Sequence, residues 1–109
     1  MGNELQKGNT SMLVLSILCD KEMYGYQIIQ ELQARSDNVF SLKEGTLYPL
    51  LHSMEKAKLL DTFWEQTETG RKRTYYRITK LGKKELASQL DQWDIYSNAV
   101  HKVVTSICT

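Results

Sequence analysis

Little in this sequence could build a metal centre, a disulfide framework or a membrane anchor. Its two cysteines, Cys19 and Cys108, stand far apart, with no C-x-x-C pair and no histidine beside either. Such usage asks for neither zinc nor a disulfide and fits a reducing cytoplasm. Cys19, inside an apolar run, reads as a small core residue, and Cys108 as an exposed thiol. The histidines are His52 and His101 alone, too far apart in sequence for metal-ligand spacing. No glycine-rich phosphate loop and no nucleophile motif occurs, so neither catalysis nor a metal or cofactor is expected. The longest apolar run, Met12 to Cys19, is interrupted only by Ser16 and is far too short to span a bilayer. Asp20-Lys21-Glu22 follows it without a small-residue cleavage site, and Gln6 stands where a myristoylation signal after Gly2 wants Ser or Thr. No membrane association is expected, and the protein is placed in the cytoplasm. Excess charge is also lacking, the formal net charge being +1.

What is present is a local concentration of charge. Between Arg71 and Lys84 lie seven cations and no acid, a basic stripe on a near-neutral protein. Alone, such a stripe reads equally well as a solvated surface or as an electrostatic footprint for nucleic acid. At 109 residues the chain is expected to form one modest core, with no room for a deep enzyme cleft.

Periodicity divides the chain. Residues 1–8 are polar and expected to be loose. Asn9 or Thr10 can cap a first helix ending at Cys19, apolar nearly all round and therefore buried. A second helix runs roughly from Tyr24 to Arg35, with Ile28, Ile29 and Leu32 inward. Gly25 near its start leaves room for close approach by another helix or by a phosphate. Leu47, Leu50, Leu51 and Met54 then recur at i, i+3, i+4 and i+7, one apolar face of a third helix. Its other face carries Thr46, Tyr48, Pro49, His52, Ser53 and Lys56, which suits contact with something polar and fixed. Pro49 has no N–H to give the carbonyl four residues back, so the helix should begin at about Lys43 to Thr46.

After Lys58 the period becomes two. Leu60, Thr62 and Trp64 share one strand face, and Thr74, Tyr76 and Ile78 a second. The seven residues between Glu65 and Arg73 contain no apolar group, which makes a hairpin with a polar tip, Gly70 being available for a positive φ. From Lys80 the helical period returns. Leu86, Leu90, Trp93, Ser97, Val100, Val104 and Ile107 are spaced 4-3-4-3-4-3, a coiled-coil-like seam broken by one serine. Such a helix outruns the core, and a second copy of the chain is its expected cover.

Three helices, a hairpin with a basic tip and a trailing helix make a mainly α chain with a small β-hairpin, in the order of a winged helix-turn-helix. The expected units are 1–79 for DNA binding and 80–109 for dimerisation. The third helix is then the recognition helix, entering a major groove. Thr46 and His52 could reach bases, Pro49 could touch a thymine methyl, and Tyr48 could stack, bond a phosphate or turn inward to the core. Arg71, Lys72 and Arg73 suit phosphate or the minor groove, and Tyr24 and Lys43 suit phosphate positioning. Tyr75 and Tyr76 read better as braces for the hairpin. Trp93 is either a dimer anchor or, stacked with its mate and near Tyr96 and Ser97, part of a site for a planar aromatic effector.

The segments Tyr24-Gly25-Tyr26-Gln27-Ile28, Glu44-Gly45-Thr46-Leu47-Tyr48-Pro49-Leu50-Leu51, Met54-Glu55-Lys56, Gly70-Arg71-Lys72-Arg73-Thr74-Tyr75-Tyr76 and Thr79-Lys80-Leu81-Gly82 resemble the PadR family of bacterial transcriptional repressors. The resemblance covers most of residues 10–82 and points to the family's smaller subclass, with a single C-terminal helix. It implies a homodimer joined through those helices on a promoter near-palindrome, and a cavity at their interface for hydrophobic compounds. A rival expectation is a dimeric winged-helix protein-interaction module without DNA binding, supported by the low net charge and by Glu65 and Glu68 at the start of the wing.

Overall fold

The computed structural model describes residues 2–104, with side chains from residue 9 onward. Ile107 and Cys108 therefore lie outside the described residues. In chain order the elements are α1 (Gly2–Asp20), β1 (Met23–Tyr24), α2 (Gly25–Arg35), α3 (Glu44–Lys56), β2 (Leu60–Gln66), β3 (Lys72–Ile78) and α4 (Lys80–Val103). The strands form one antiparallel sheet in the order β1-β3-β2, and the whole is a winged helix.

Helix α1 is the centre of the core. Met12, Val14, Leu15, Ile17 and Leu18 are buried against Ile28 and Leu32 of α2, Leu47, Leu51 and Met54 of α3, Leu60 and Tyr76 of the sheet, and Leu86 of α4. Each such aliphatic side chain contributes about 1.5–3 kcal/mol by leaving water. Two expectations about α1 need correction. The helix begins at Gly2, well before Asn9, and Thr10 is buried within it instead of capping it. The preceding Glu4, Leu5, Gln6 and Lys7 are good helix formers, so propensity carries the helix past the expected cap. Cys19 is exposed, not core. It stands at the margin of the buried arc in the last turn, where the chain leaves the core. The charged ends of α1 and α2 are joined by Arg35, which pairs with Asp20 at 2.6 Å and Glu31 at 2.8 Å.

The sheet also holds a strand more than the expected hairpin. Met23 and Tyr24 pair with Tyr76 and Tyr75, so the turn after α1 becomes an edge strand. Two residues carry no readable period, which is why β1 was not foreseen.

The root of α4 is fixed by two small residues. Thr79 caps it, its hydroxyl accepting from the Gly82 N–H at 3.0 Å and donating toward the Lys58 carbonyl at 2.7 Å. A Cβ on Gly82 would fall on the Leu59 carbonyl and lie 2.7 Å from Ile78 Cγ1. Leu86, assigned to the outer seam from its spacing, is taken up by the core of its own chain because α4 starts alongside α1. Beyond it Leu90, Trp93, Tyr96, Val100 and Val104 are exposed. At about 1.5 Å per residue, the 24 residues of α4 reach roughly 36 Å.

Candidate nucleic-acid interface

Helix α3 buries Leu47, Leu51 and Met54 and leaves Leu50 half-buried, the face expected from its spacing. The opposite face, Thr46, Tyr48, Pro49, His52, Ser53 and Lys56, is exposed. The helix starts at Glu44, with the Lys43 carbonyl accepting from Thr46 and Leu47 at 3.0 and 2.9 Å. Pro49 consequently falls in the second turn, and its missing N–H leaves the Gly45 carbonyl without an intrahelical donor. A Cβ built on Gly45 would meet nothing within 4 Å, so water can serve this open stretch.

Tyr48 neither enters the core nor stands free. Its ring lies across Gly25, where a Cβ would fall on the Tyr48 hydroxyl and sit 2.7 Å from Cζ. Of the two readings of Gly25, close approach by another helix is the one found. The packing holds the start of α2 against the exposed face of α3 while leaving Tyr48 36% exposed.

The wing closes the other side. Its tip is a turn in which the Thr67 N–H donates to the Arg71 carbonyl at 2.8 Å and the Gly70 N–H to the Thr67 carbonyl at 2.9 Å. Gly70 adopts φ +85°, a conformation that a side chain would strain. At the wing's base the Thr62 hydroxyl donates to Glu55 of α3 at 3.1 Å, tying sheet to helix. Tyr76 is buried on the same sheet face. Burial first, then the nearby Tyr48 and Glu55, raises its phenol above the ordinary value, so it stays protonated. Tyr75 faces the opposite side, stacked on Phe63 with ring centroids 5.2 Å apart.

Between α3 and the wing runs a groove of about 700 Å³. It brings together Tyr24, Tyr48, His52, Arg71, Lys72 and Arg73, six of the nine residues assigned to DNA from the sequence. Pro49 and His52 border a shallower depression on the outer side of α3 with Ser53, Glu55 and Lys56. Lys43 and Thr46 line neither, though both are exposed at the start of α3. Thr67, Thr69 and Thr74 also line the groove and were missed. Trp64 was placed on a strand face but given no role. It is 57% exposed, with Lys72 Nζ 4.4 Å from its ring centroid. Alternation along the strands, which puts Trp64, Lys72 and Thr74 on one face, was the available signal. On α4 the rings of Trp93 and Tyr96 lie 6.0 Å apart, both exposed, with Ser97 half-buried.

Comparison with known proteins agrees with this geometry. Residues 14–88 match the model of the transcriptional regulator PadR-like family. A transcriptional regulator of Mycobacterium tuberculosis is 34% identical over 83 residues, covering 76% of this chain and 74% of that protein. A transcriptional regulator from Clostridium thermocellum superposes with a TM-score of 0.86 at 30% identity, over 93% of this chain and 98% of the other. A PadR-like transcriptional regulator from Bacillus cereus gives 0.82 at 30% identity, over 95% and 99%. The chain belongs to the PadR-like family of transcriptional regulators.

Proposed function

We propose that this chain is a sequence-specific DNA-binding repressor that acts as a homodimer and is released by a small hydrophobic or aromatic effector. The observation that carries the DNA-binding part is the groove in which the exposed face of α3 and the cations Arg71, Lys72 and Arg73 converge. Helix α3 enters a major groove and the wing meets the adjoining backbone or minor groove. Thr46, Tyr48, Pro49 and His52 are the residues offered to bases, while Lys43 and Tyr24 position phosphates.

Residues 1–79 act as the DNA-binding unit and 80–109, which contain α4, as the dimerisation unit, rooted in the winged unit through Gly82 and Leu86. The exposed strip of Leu90, Trp93, Val100 and Val104 supports a two-fold partner, a second copy of the chain. Two recognition helices then meet a near-palindrome about 34 Å apart, one helical turn. An effector seated at Trp93, Tyr96 and Ser97 changes the angle between the winged units. It acts only if it prefers the arrangement that does not fit DNA, since equal affinity for both shifts nothing.

A duplex from upstream of the protein's own gene should be footprinted, with affinity falling steeply as salt rises. Reversing the charges of Arg71, Lys72 and Arg73 together should abolish binding, and retained binding would remove the wing from the interface. In a Trp64→Phe background, aromatic dyes should quench Trp93 fluorescence. An unquenched Trp93 would leave it as packing between subunits.

A further inference from the structure

Three cations of β3 each rest on an aromatic ring. Lys72 Nζ lies 4.4 Å from the Trp64 ring centroid, Arg73 Cζ 4.0 Å from that of Tyr24, and Arg77 Cζ 5.1 Å from that of Phe63. The strand register explains all three. Trp64 stands opposite Thr74, and Tyr24 and Phe63 flank Tyr75 on its two sides. Every cation is therefore two residues from the partner of its ring, the diagonal position that long side chains reach.

Alternation then separates neighbours. Lys72 shares the face of Trp64, Thr74 and the buried Tyr76, the side turned to α3. Arg73 shares the outer face with Tyr24, Phe63 and Tyr75. There Phe63 stacks on Tyr75 with their planes 10° apart, and Tyr24 meets Tyr75 edge-on at 5.6 Å. Arg73 and Tyr24 also line the main groove at the edge of the sheet, and Arg73 lines a second depression beside Glu65, Gln66 and Tyr75. Arg71, Lys72 and Arg73 all border the main groove, but they do not reach it from one side of the strand. Lys72 and Arg73 leave the strand in opposite directions, each seated on a ring.

A long cation free in water samples many rotamers, and ordering it on binding costs affinity. A ring beneath the charge narrows that range while leaving donors outward. We propose that Trp64 and Tyr24 are positioning residues that hold Lys72 and Arg73 on opposite faces of the wing, so that the two cations address the two phosphate backbones bordering one groove. The proposal rests on the DNA-binding reading above. It adds a division of labour between adjacent cations, a role for Trp64, and a narrower role for Tyr24, which acts on phosphate through Arg73 and not through its own hydroxyl.

The test uses the footprinted upstream duplex and two mutant cycles, Trp64→Leu with Lys72→Gln and Tyr24→Leu with Arg73→Gln. Each ring removal should weaken binding about twofold to fivefold, the range of an exposed cation–π contact, and should cost nothing further once its cation is gone. Trp64→Phe and Tyr24→Phe keep a ring and should restore most of the affinity. A second readout places neutral methylphosphonates opposite one wing, on one strand or the other. Lys72→Gln should become insensitive to replacement on one strand, and Arg73→Gln to replacement on the other. If Tyr24→Leu melts early, that strand map decides its half of the question. Ring removals that cost as much without the cation as with it, or both cations mapping to one strand, overturn the proposal while leaving DNA binding intact. A wild-type chain that fails to bind the duplex overturns the DNA-binding reading itself, and this inference with it.

Discussion

Helices α1 and α4 both draw on Leu, Ile and Val and put them to opposite uses. In α1, Val14 and Leu15 have no exposed surface, and Ile17 and Leu18 have almost none. In α4 the apolar stripe is buried only at Leu86, and Trp93 and Val100 retain 37% and 41% of their surface. Residue type alone does not decide the outcome, since Leu, Ile and Val occur in both. Position does, because α1 is wrapped by α2, α3, the sheet and the root of α4, whereas outer α4 runs past everything that could cover it. The radius of gyration, 16.1 Å, exceeds the roughly 13 Å of a compact chain of this length, as expected for a molecule with a projecting arm. Apolar surface on α1 therefore stabilises the fold, and apolar surface on outer α4 is free to drive association.

The largest effect should come from within α1. Leu15→Ala removes a fully buried side chain from the middle of the core and should lower unfolding free energy by about 2–5 kcal/mol, read by denaturant melting. Trp93→Ala should leave the melting of an isolated chain almost unchanged, yet weaken self-association by about 2 kcal/mol or more, read by sedimentation over a concentration series. A Trp93→Ala chain that melts early even when monomeric would break the contrast between the helices. Association that is unaltered would move the interface away from Trp93.

The boundary between the two behaviours sits at the root of α4, and Gly82→Ala probes it. The added methyl must displace the Leu59 carbonyl or Ile78, at a cost of about 1–3 kcal/mol in stability. Because α4 would shift relative to the winged unit, this variant should also alter DNA affinity in the dimer, which Leu90→Ala should do far less. Equal effects of the two on binding would mean that the seating of α4 does not set the spacing of the two α3 helices proposed to meet DNA.

Much of this organisation was legible in the residue pattern, for identifiable reasons. A 3.6-residue period holds over α3 and outer α4, and a clean change to period two marks the hairpin, so element type and facing were readable there. Six of nine assigned DNA residues meet in one groove because motif spacing carries into space when the elements are regular. What was missed has no period. The two residues of β1 are too few, and Cys19 lies in an apolar run whose last turn happens to pass the edge of the core. Gly25 signalled a close approach, but which side chain would fill it depended on the crossing of α2 and α3. The ring seats of Lys72 and Arg73 required the exact pairing of three strands, one of them unforeseen.

The smallest expected effect completes the contrast. Arg35 is the only described residue joining the end of α1 to the end of α2 by ion pairs, at 2.6 Å to Asp20 and 2.8 Å to Glu31. Its guanidinium is held above the ordinary arginine value chiefly by the Glu31 hydrogen bond, with partial burial opposing and Asp20 adding. All three side chains are at least 40% exposed, so water and salt screen most of that attraction. Arg35→Ala should therefore lower stability by no more than about 1 kcal/mol, and by less as ionic strength rises. Neither DNA affinity nor self-association should change, since both ion-pair partners of Arg35, Asp20 and Glu31, lie outside α3 and α4. A loss approaching that of Leu15→Ala would mean that α1 is held by its charged end as much as by its packed middle, and the division between the two helices would then need a different cause.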